Sequence, residues 1–140
     1  MTDPLYELKA AIITTLRGDA RVSGFVARRV YDRVPTGDQA PPSPYVSMGP
    51  FDGTEDSADC IDGLAVSLQI DVWSWGDGEA YSSAECSKIA QAVRRALHDR
   101  ELALPAAALV NLRHRMTRIM QASDGITNHG ALTFEATLEG

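Results

Sequence analysis

The sequence predicts an α+β fold, an antiparallel or mixed sheet of about five strands with two helices packed on one face. Three observations carry this expectation. Apolar residues recur at helical spacing near the N-terminus and again in the second half of the chain. Two other stretches, beginning at Leu64 and ending at Leu138, alternate apolar and polar residues as half-buried strands do. Proline- and glycine-rich connections separate these stretches, with no internal repeat. At 140 residues the chain reads as one domain, 1–140, long enough to bury about two-thirds of the surface its unfolded form exposes.

Asp3 followed by Pro4 is a helix start, a capping acceptor before a residue whose fixed φ suits the first turn. Leu5, Leu8, Ile12 and Leu16 then share one stripe, and Gly18 stands where a left-handed residue would end the helix. "DARVSGFVARR" reads as a short capped turn that points Val22, Phe25 and Val26 inward. "RVYDRVP" is a short strand ended by Pro35. Pro41, Pro42 and Pro44 lack an N–H donor, which keeps "PTGDQAPPSP" out of a sheet interior. "YVSMG" resumes as a strand, and the acidic "PFDGTEDSADCIDG" has no period and reads as a long loop.

In "LAVSLQIDVWSW", Val66, Leu68, Ile70 and Val72 take one side of a strand. Ser67, Gln69, Asp71, Trp73 and Trp75 take the other. Two indoles at the end of a polar face would leave a large apolar area in water, so something other than the core is expected to cover them. A second helix is expected from about Glu79 to Asp99, with Cys86, Ile89, Ala90, Val93, Ala96 and Leu97 inward and Lys88, Gln91, Arg94 and Arg95 solvated. A long strand from Leu109 to about Met120 would place Val110, Leu112, His114, Met116 and Met120 on one side and Asn111, Arg113, Arg115 and Thr117 on the other. An Asp-Gly turn then leads to a final strand in which Leu132, Phe134, Ala136 and Leu138 alternate with Thr133, Glu135 and Thr137.

The formal charge of -6 argues against a chain whose task is to neutralise nucleic-acid phosphates. Cys60 and Cys86 show no CxxC spacing and read as reduced thiols of a cytoplasmic product. No export pattern and no membrane-spanning apolar run is seen, so the chain reads as soluble with no membrane partner. None of the GxSxG, HExxH, GxGxxG or phosphate-loop patterns occurs. His98 at a helix end, His114 in mid-strand and His129 in a turn read as structural or solvated. Asp52, Glu55, Asp56, Asp59 and Asp62 lack the order of a calcium loop and read as a solvated acidic loop. Asp71 as a general base has no second polarised group near it in sequence. No catalytic, metal or cofactor-binding residue is assigned, no cofactor is expected, and the chain is not expected to be an enzyme.

Arg113 and Arg115 would project from one strand side about 7 Å apart. They read either as salt-bridge partners of neighbouring strands or, with the tryptophans, as an interface, since arginine and tryptophan are enriched at the energetic centres of protein contacts. Gln69, Asp71, Trp73, Trp75, Arg113 and Arg115 form the candidate subunit or partner interface.

Taken together in order, "DPLYELKAAI", "RVYDRVP" before "PYVSMG", "LQIDVWS", "AVRRALHD" and "DGITNHGALTF" resemble the tail-completion, or tail-terminator, proteins of long-tailed bacteriophages, nearest to those of alphaproteobacterial gene transfer agents. The resemblance spans nearly the whole chain. It implies a structural subunit that forms a homo-hexameric ring on the last ring of tail-tube protein, stops tube growth and meets the head-side connector, while DNA passes through the hole without sequence-specific binding. It further implies assembly in the bacterial cytoplasm and residence in the tail of a virion or phage-like particle. The segment carrying Asp52, Glu55, Asp56, Asp59 and Asp62 becomes a candidate lumen or docking loop. The competing expectation, from the residues alone, is a small ligand-binding α/β domain in which Trp73 and Trp75 stack on a planar ligand near Arg113.

Overall fold

The computed structural model describes residues 3–56, 63–75 and 82–139. Its elements run α1 (Pro4–Gly18), α2 (Ala20–Val26), β1 (Val30–Tyr31), β2 (Tyr45–Asp56), β3 (Gly63–Ser74), α3 (Ala84–Leu97), β4 (Ala108–Gln121) and β5 (Asn128–Glu139). The five strands lie in the order β1-β2-β3-β5-β4. β1 pairs parallel with β2 and every other pair is antiparallel, so the sheet is mixed. The parallel pair follows from the proline-rich stretch between β1 and β2, which is long enough to carry the chain back before the second strand begins.

Asp3 caps α1, its side chain accepting from the Tyr6 N–H, and Leu8, Ile12 and Leu16 are buried along the expected stripe. Among the described residues there are three α-helices rather than two. The segment read as a capped turn is α2, because Asp19 Oδ1 accepts from the N–H groups of both Arg21 and Val22 at 3.0 Å and opens a second helix at once. Gly18 is therefore the last residue of α1, and the extended Asp19 breaks the two helices apart. On α2, Val22 and Val26 are buried one turn apart, whereas Phe25 falls off that stripe and is 38% exposed, against the inward placement expected for it.

The stretch read as an acidic loop is in large part strand. β2 continues from Tyr45 to Asp56, with Asp52 opposite Ser67, Glu55 opposite Leu64 and Asp56 opposite Gly63. A register shift between Met48 and Phe51 hides the alternation, since Val46 and Met48 are buried before it and Phe51 joins the core after it. Pro50, with no N–H to donate, sits in the shifted segment. Asp59, Asp62 and Cys60 lie outside the described residues, as does Glu79, where the second long helix was expected to start; α3 is described from Ala84.

β4 departs from the simple alternation for the same reason. Shifts between Leu109 and Asn111 and between His114 and Met116 change its phase twice. Leu112 is buried, but Val110 is 53% and Met116 48% exposed, so the apolar side expected for all three does not exist. Asp99, at φ 56, ends α3 and donates its N–H to Leu112 O at 2.8 Å, and the His114 N–H donates to His98 Nδ1 at 3.0 Å. The α3–β4 turn thereby covers part of the outer edge of β4.

β5 alternates as expected, with Leu132, Phe134, Ala136 and Leu138 buried. These side chains form one core cluster with the inner faces of β2 and β3 and with Leu8, Ile12, Ile89 and Val93 of the helices. α3 meets β3, β4 and β5, while α1 meets β1 and β2. Glu7 on α1 accepts from the N–H groups of Ala106 and Ala107, pinning the linker before β4. Among the described residues no helix is long and apolar enough to cross a membrane. The core occupies one side of the sheet, and the opposite side carries the residues of interest.

Candidate assembly face

The outer face of the sheet has two unlike ends. At the first, β3 delivers Asp71 and Trp73, β2 delivers Tyr45 and Ser47, and β5 delivers His129, because Trp73 stands opposite both Tyr45 and His129 while Asp71 stands opposite Ser47. Asp71 is only 7% exposed, and a buried carboxylate requires donors. It has them: Gln69 Nε2 donates to Oδ1 at 2.8 Å and His129 Nε2 lies 2.6 Å from the same oxygen. The absent side chain of Gly49 makes room, since a Cβ there would lie 2.8 Å from Asp71 Oδ2.

The His129 ring in turn lies flat on Trp73, ring centroids 4.0 Å apart and planes 9° apart, and the Trp73 indole N–H donates to Ser47 Oγ at 2.9 Å. Trp73 is thus partly covered by its own sheet. Trp75 is the more open indole at 38% exposure, touching the Tyr45 ring edge-on at 6.2 Å, and Tyr45 meets Tyr31 of β1 in the same way at 6.3 Å. Burial and the neighbouring Tyr31 raise the pKa of the Tyr45 phenol. His129 is not in a turn, as the sequence suggested, but in β5 on the Thr133 and Glu135 side. Alternation counted backwards from Thr133 would have found it.

The second end is a polar groove. Asp52 and Thr54 of β2 form one bank, Arg113 and Arg115 of β4 the other, and Ser67, Glu135 and Thr137 line it between them. Arg115 Nε is 3.4 Å from Glu135 Oε2 and Arg113 Nε is 3.8 Å from Asp99 Oδ1, with every partner more than half exposed. Such exposed pairs are worth about 0–1 kcal/mol and leave the guanidinium groups open to a partner. Glu55 pairs with Leu64 in the register that turns it to the helix side, away from Asp52, so Asp52 and Glu55 do not share a patch. Arg113 precedes the second shift of β4 and Arg115 falls within it, yet both line the groove.

The two ends are well separated. Trp73 pairs with His129 and Arg113 with Glu135, six residues along β5, which is about 20 Å at the rise of a strand. A planar ligand stacked on Trp73 cannot also reach Arg113. Among the described residues no group of three His, Cys, Asp or Glu side chains could hold a metal ion. The Asp71–His129 pair orders an aromatic surface.

The family described as Tail completion protein gp17 matches residues 10–139. Among solved structures, a chain from "Virion of native gene transfer agent (GTA) particle" is 31% identical, with a TM-score of 0.83 over 95% of this chain and 95% of that one. No curated protein matches. Since the family match spans residues 10–139 and the structural match covers 95% of both chains, this chain belongs to the tail completion protein family.

Proposed function

We propose that this chain is a structural component of a phage-like tail, the terminator that forms a homo-hexameric ring on the last tail-tube ring, ends tube polymerisation and joins the tube to the head-side connector. DNA passes through the hole of the ring, and the subunit is assembled in the bacterial cytoplasm. The observation that carries this reading is the correspondence over 95% of both chains with a component of an assembled gene transfer agent particle. The outer face supports it, because an aromatic row at one end and an arginine-lined groove at the other are the residue types that interfaces concentrate. In this reading Gln69, Asp71, Trp73, Trp75, Arg113 and Arg115 belong to a subunit or partner contact, and Asp52 faces the same side.

Deleting the gene from a particle-producing strain tests it. A terminator's loss leaves tubes of unregulated length without heads attached, and supplying the protein restores particles of uniform length. Normal, head-bearing tails formed without the protein would overturn the reading. A small-ligand domain is disfavoured by the separation between Trp73 and Arg113.

A further inference from the structure

α2 and α3 enclose a second groove on the helical layer, of about 380 Å³, lined by Ala20, Gly24, Phe25 and Ala92 and rimmed by Arg21, Lys88 and Arg95. It is anomalous for two reasons. Phe25 is 38% exposed in its wall, and among the described residues no carboxylate lines it, although the chain carries 19 acidic residues against 13 basic ones. Among the described residues none of the three rim cations makes an ion pair. An apolar floor inside such a cationic rim is complementary to an apolar side chain that has a carboxylate beside it.

The turn between β4 and β5 offers that combination. Ile126 is 44% exposed at its tip, next to Asp124. Asp124 Oδ1 accepts from the N–H groups of Ile126 and Thr127, and Oδ2 accepts from Thr127 Oγ1 at 2.6 Å, while Gly125 takes the positive φ the turn needs. Backbone and Asp124 therefore fix the turn through hydrogen bonds that do not involve the Ile126 side chain. The Thr127 hydrogen bonds also keep Asp124 below the usual carboxylate range, so its charge persists into acid.

We infer that the α2/α3 groove is a socket for a second copy of this chain, whose Ile126 seats against Phe25 with Asp124 facing Lys88 and Arg95. Groove and knob are different surfaces, and head-to-tail joining of unlike surfaces is what closes a ring. The inference rests on the ring reading for its biological setting and adds the contact that links neighbours. It also gives copies that each carry -6 a place where opposite charges meet.

Two substitutions test it at no expected penalty to the fold. A Cβ at Gly24 meets nothing within 4 Å, so Gly24→Glu blocks the socket with a charge while improving helix propensity, and Ile126→Glu removes the knob. Each should retain the wild-type melting temperature and weaken self-association, or incorporation into tails, at least tenfold, and the double variant should be no worse than either alone. Lys88 is one of only two lysines, with Lys9, which makes carbodiimide coupling a direct readout. In tails carrying mixed ¹⁴N and ¹⁵N protein, the expected amide joins Lys88 to Asp124 of another copy. Unchanged association in both variants, or Lys88 coupled only to a different tail protein, would overturn the socket. A ring that persists in both variants sinks the socket alone. A Lys88–Asp124 link in an assembly that is not a ring sinks the ring reading alone.

Discussion

The imidazole of His129 lies flat against the indole of Trp73 while its Nε2 contacts the buried carboxylate of Asp71, so one residue of β5 both packs the aromatic and partners the acid of β3. These residues are 56 and 58 positions apart in sequence, and only the antiparallel pairing of β3 with β5 joins them. The two tryptophans that look alike in the sequence are therefore energetically different.

Trp73→Ala should destabilise the isolated subunit by about 2 kcal/mol, because it removes a half-buried ring, its stack and the partner of Ser47. Trp75→Ala, at an exposed position, should stay within about 0.5 kcal/mol of wild type in the same urea titration. Loss of incorporation into tails by Trp75→Ala without loss of stability marks it as an interface anchor. Equal destabilisation of the two variants would contradict the structural distinction.

Gly49→Ala places a methyl 2.8 Å from Asp71 Oδ2 and 3.2 Å from the Gln69 carbonyl oxygen. The acid cannot retreat without giving up Gln69 or His129, so a loss of roughly 1–3 kcal/mol is expected. Intrinsic tryptophan fluorescence should report the displaced His129–Trp73 stack. A variant as stable as wild type, with an unchanged spectrum, would show that the carboxylate has free space.

Much of this was legible in the chain itself. Asp3-Pro4 marked the start of α1, and strict alternation marked β3 and β5. Reading stopped where the period changed phase: at the shift after Met48, which turned the acidic half of β2 into an apparent loop, and at the two shifts of β4, which scattered its apolar residues over both sides. α2 was missed because a single Asp19 both follows one helix and caps the next. The Asp71–His129 contact could not be found by proximity in sequence, since it depends on register alone.

Alkaline and acid sensitivity should come from two groups that burial shifts in opposite directions. Burial pushes the Cys86 thiol up to about 11 from its ordinary 9.0, so the unfolded chain loses that proton first and stability falls as pH rises from about 9 towards 11, on the order of 1.4 kcal/mol per unit. Cys86→Ala should flatten this limb in urea titrations. Burial, then Arg94 and His98, lower the pKa of His114 from 6.5, so its contribution is present above about 6.5 and is lost as pH falls below it. His114→Gln should reduce the slope on the acid side. Slopes identical to wild type in both variants would assign the pH dependence to other groups.

A channel that lets a genome slide must avoid adhesion, since each neutralised phosphate adds counterion-release affinity and several together would hold the strand. The chain's charge of -6 suits such a lumen, and Arg113 and Arg115 of β4 line a groove shared with Glu135 and Asp52. Arg115→Glu would set two carboxylates against each other at β4 and β5 in place of the 3.4 Å pair, a change of a few tenths of a kcal/mol for groups this exposed. The isolated wild-type and Arg115→Glu subunits should therefore both fold normally and bind duplex DNA no better than about 10⁻⁴ M at physiological salt, and yet Arg115→Glu should enter tails poorly. Anisotropy titrations over a salt series and counting of the protein in purified particles separate the two claims. Tight, salt-dependent DNA binding by wild type that disappears in Arg115→Glu while particles assemble normally would place Arg115 in the channel and overturn its assignment to a protein contact.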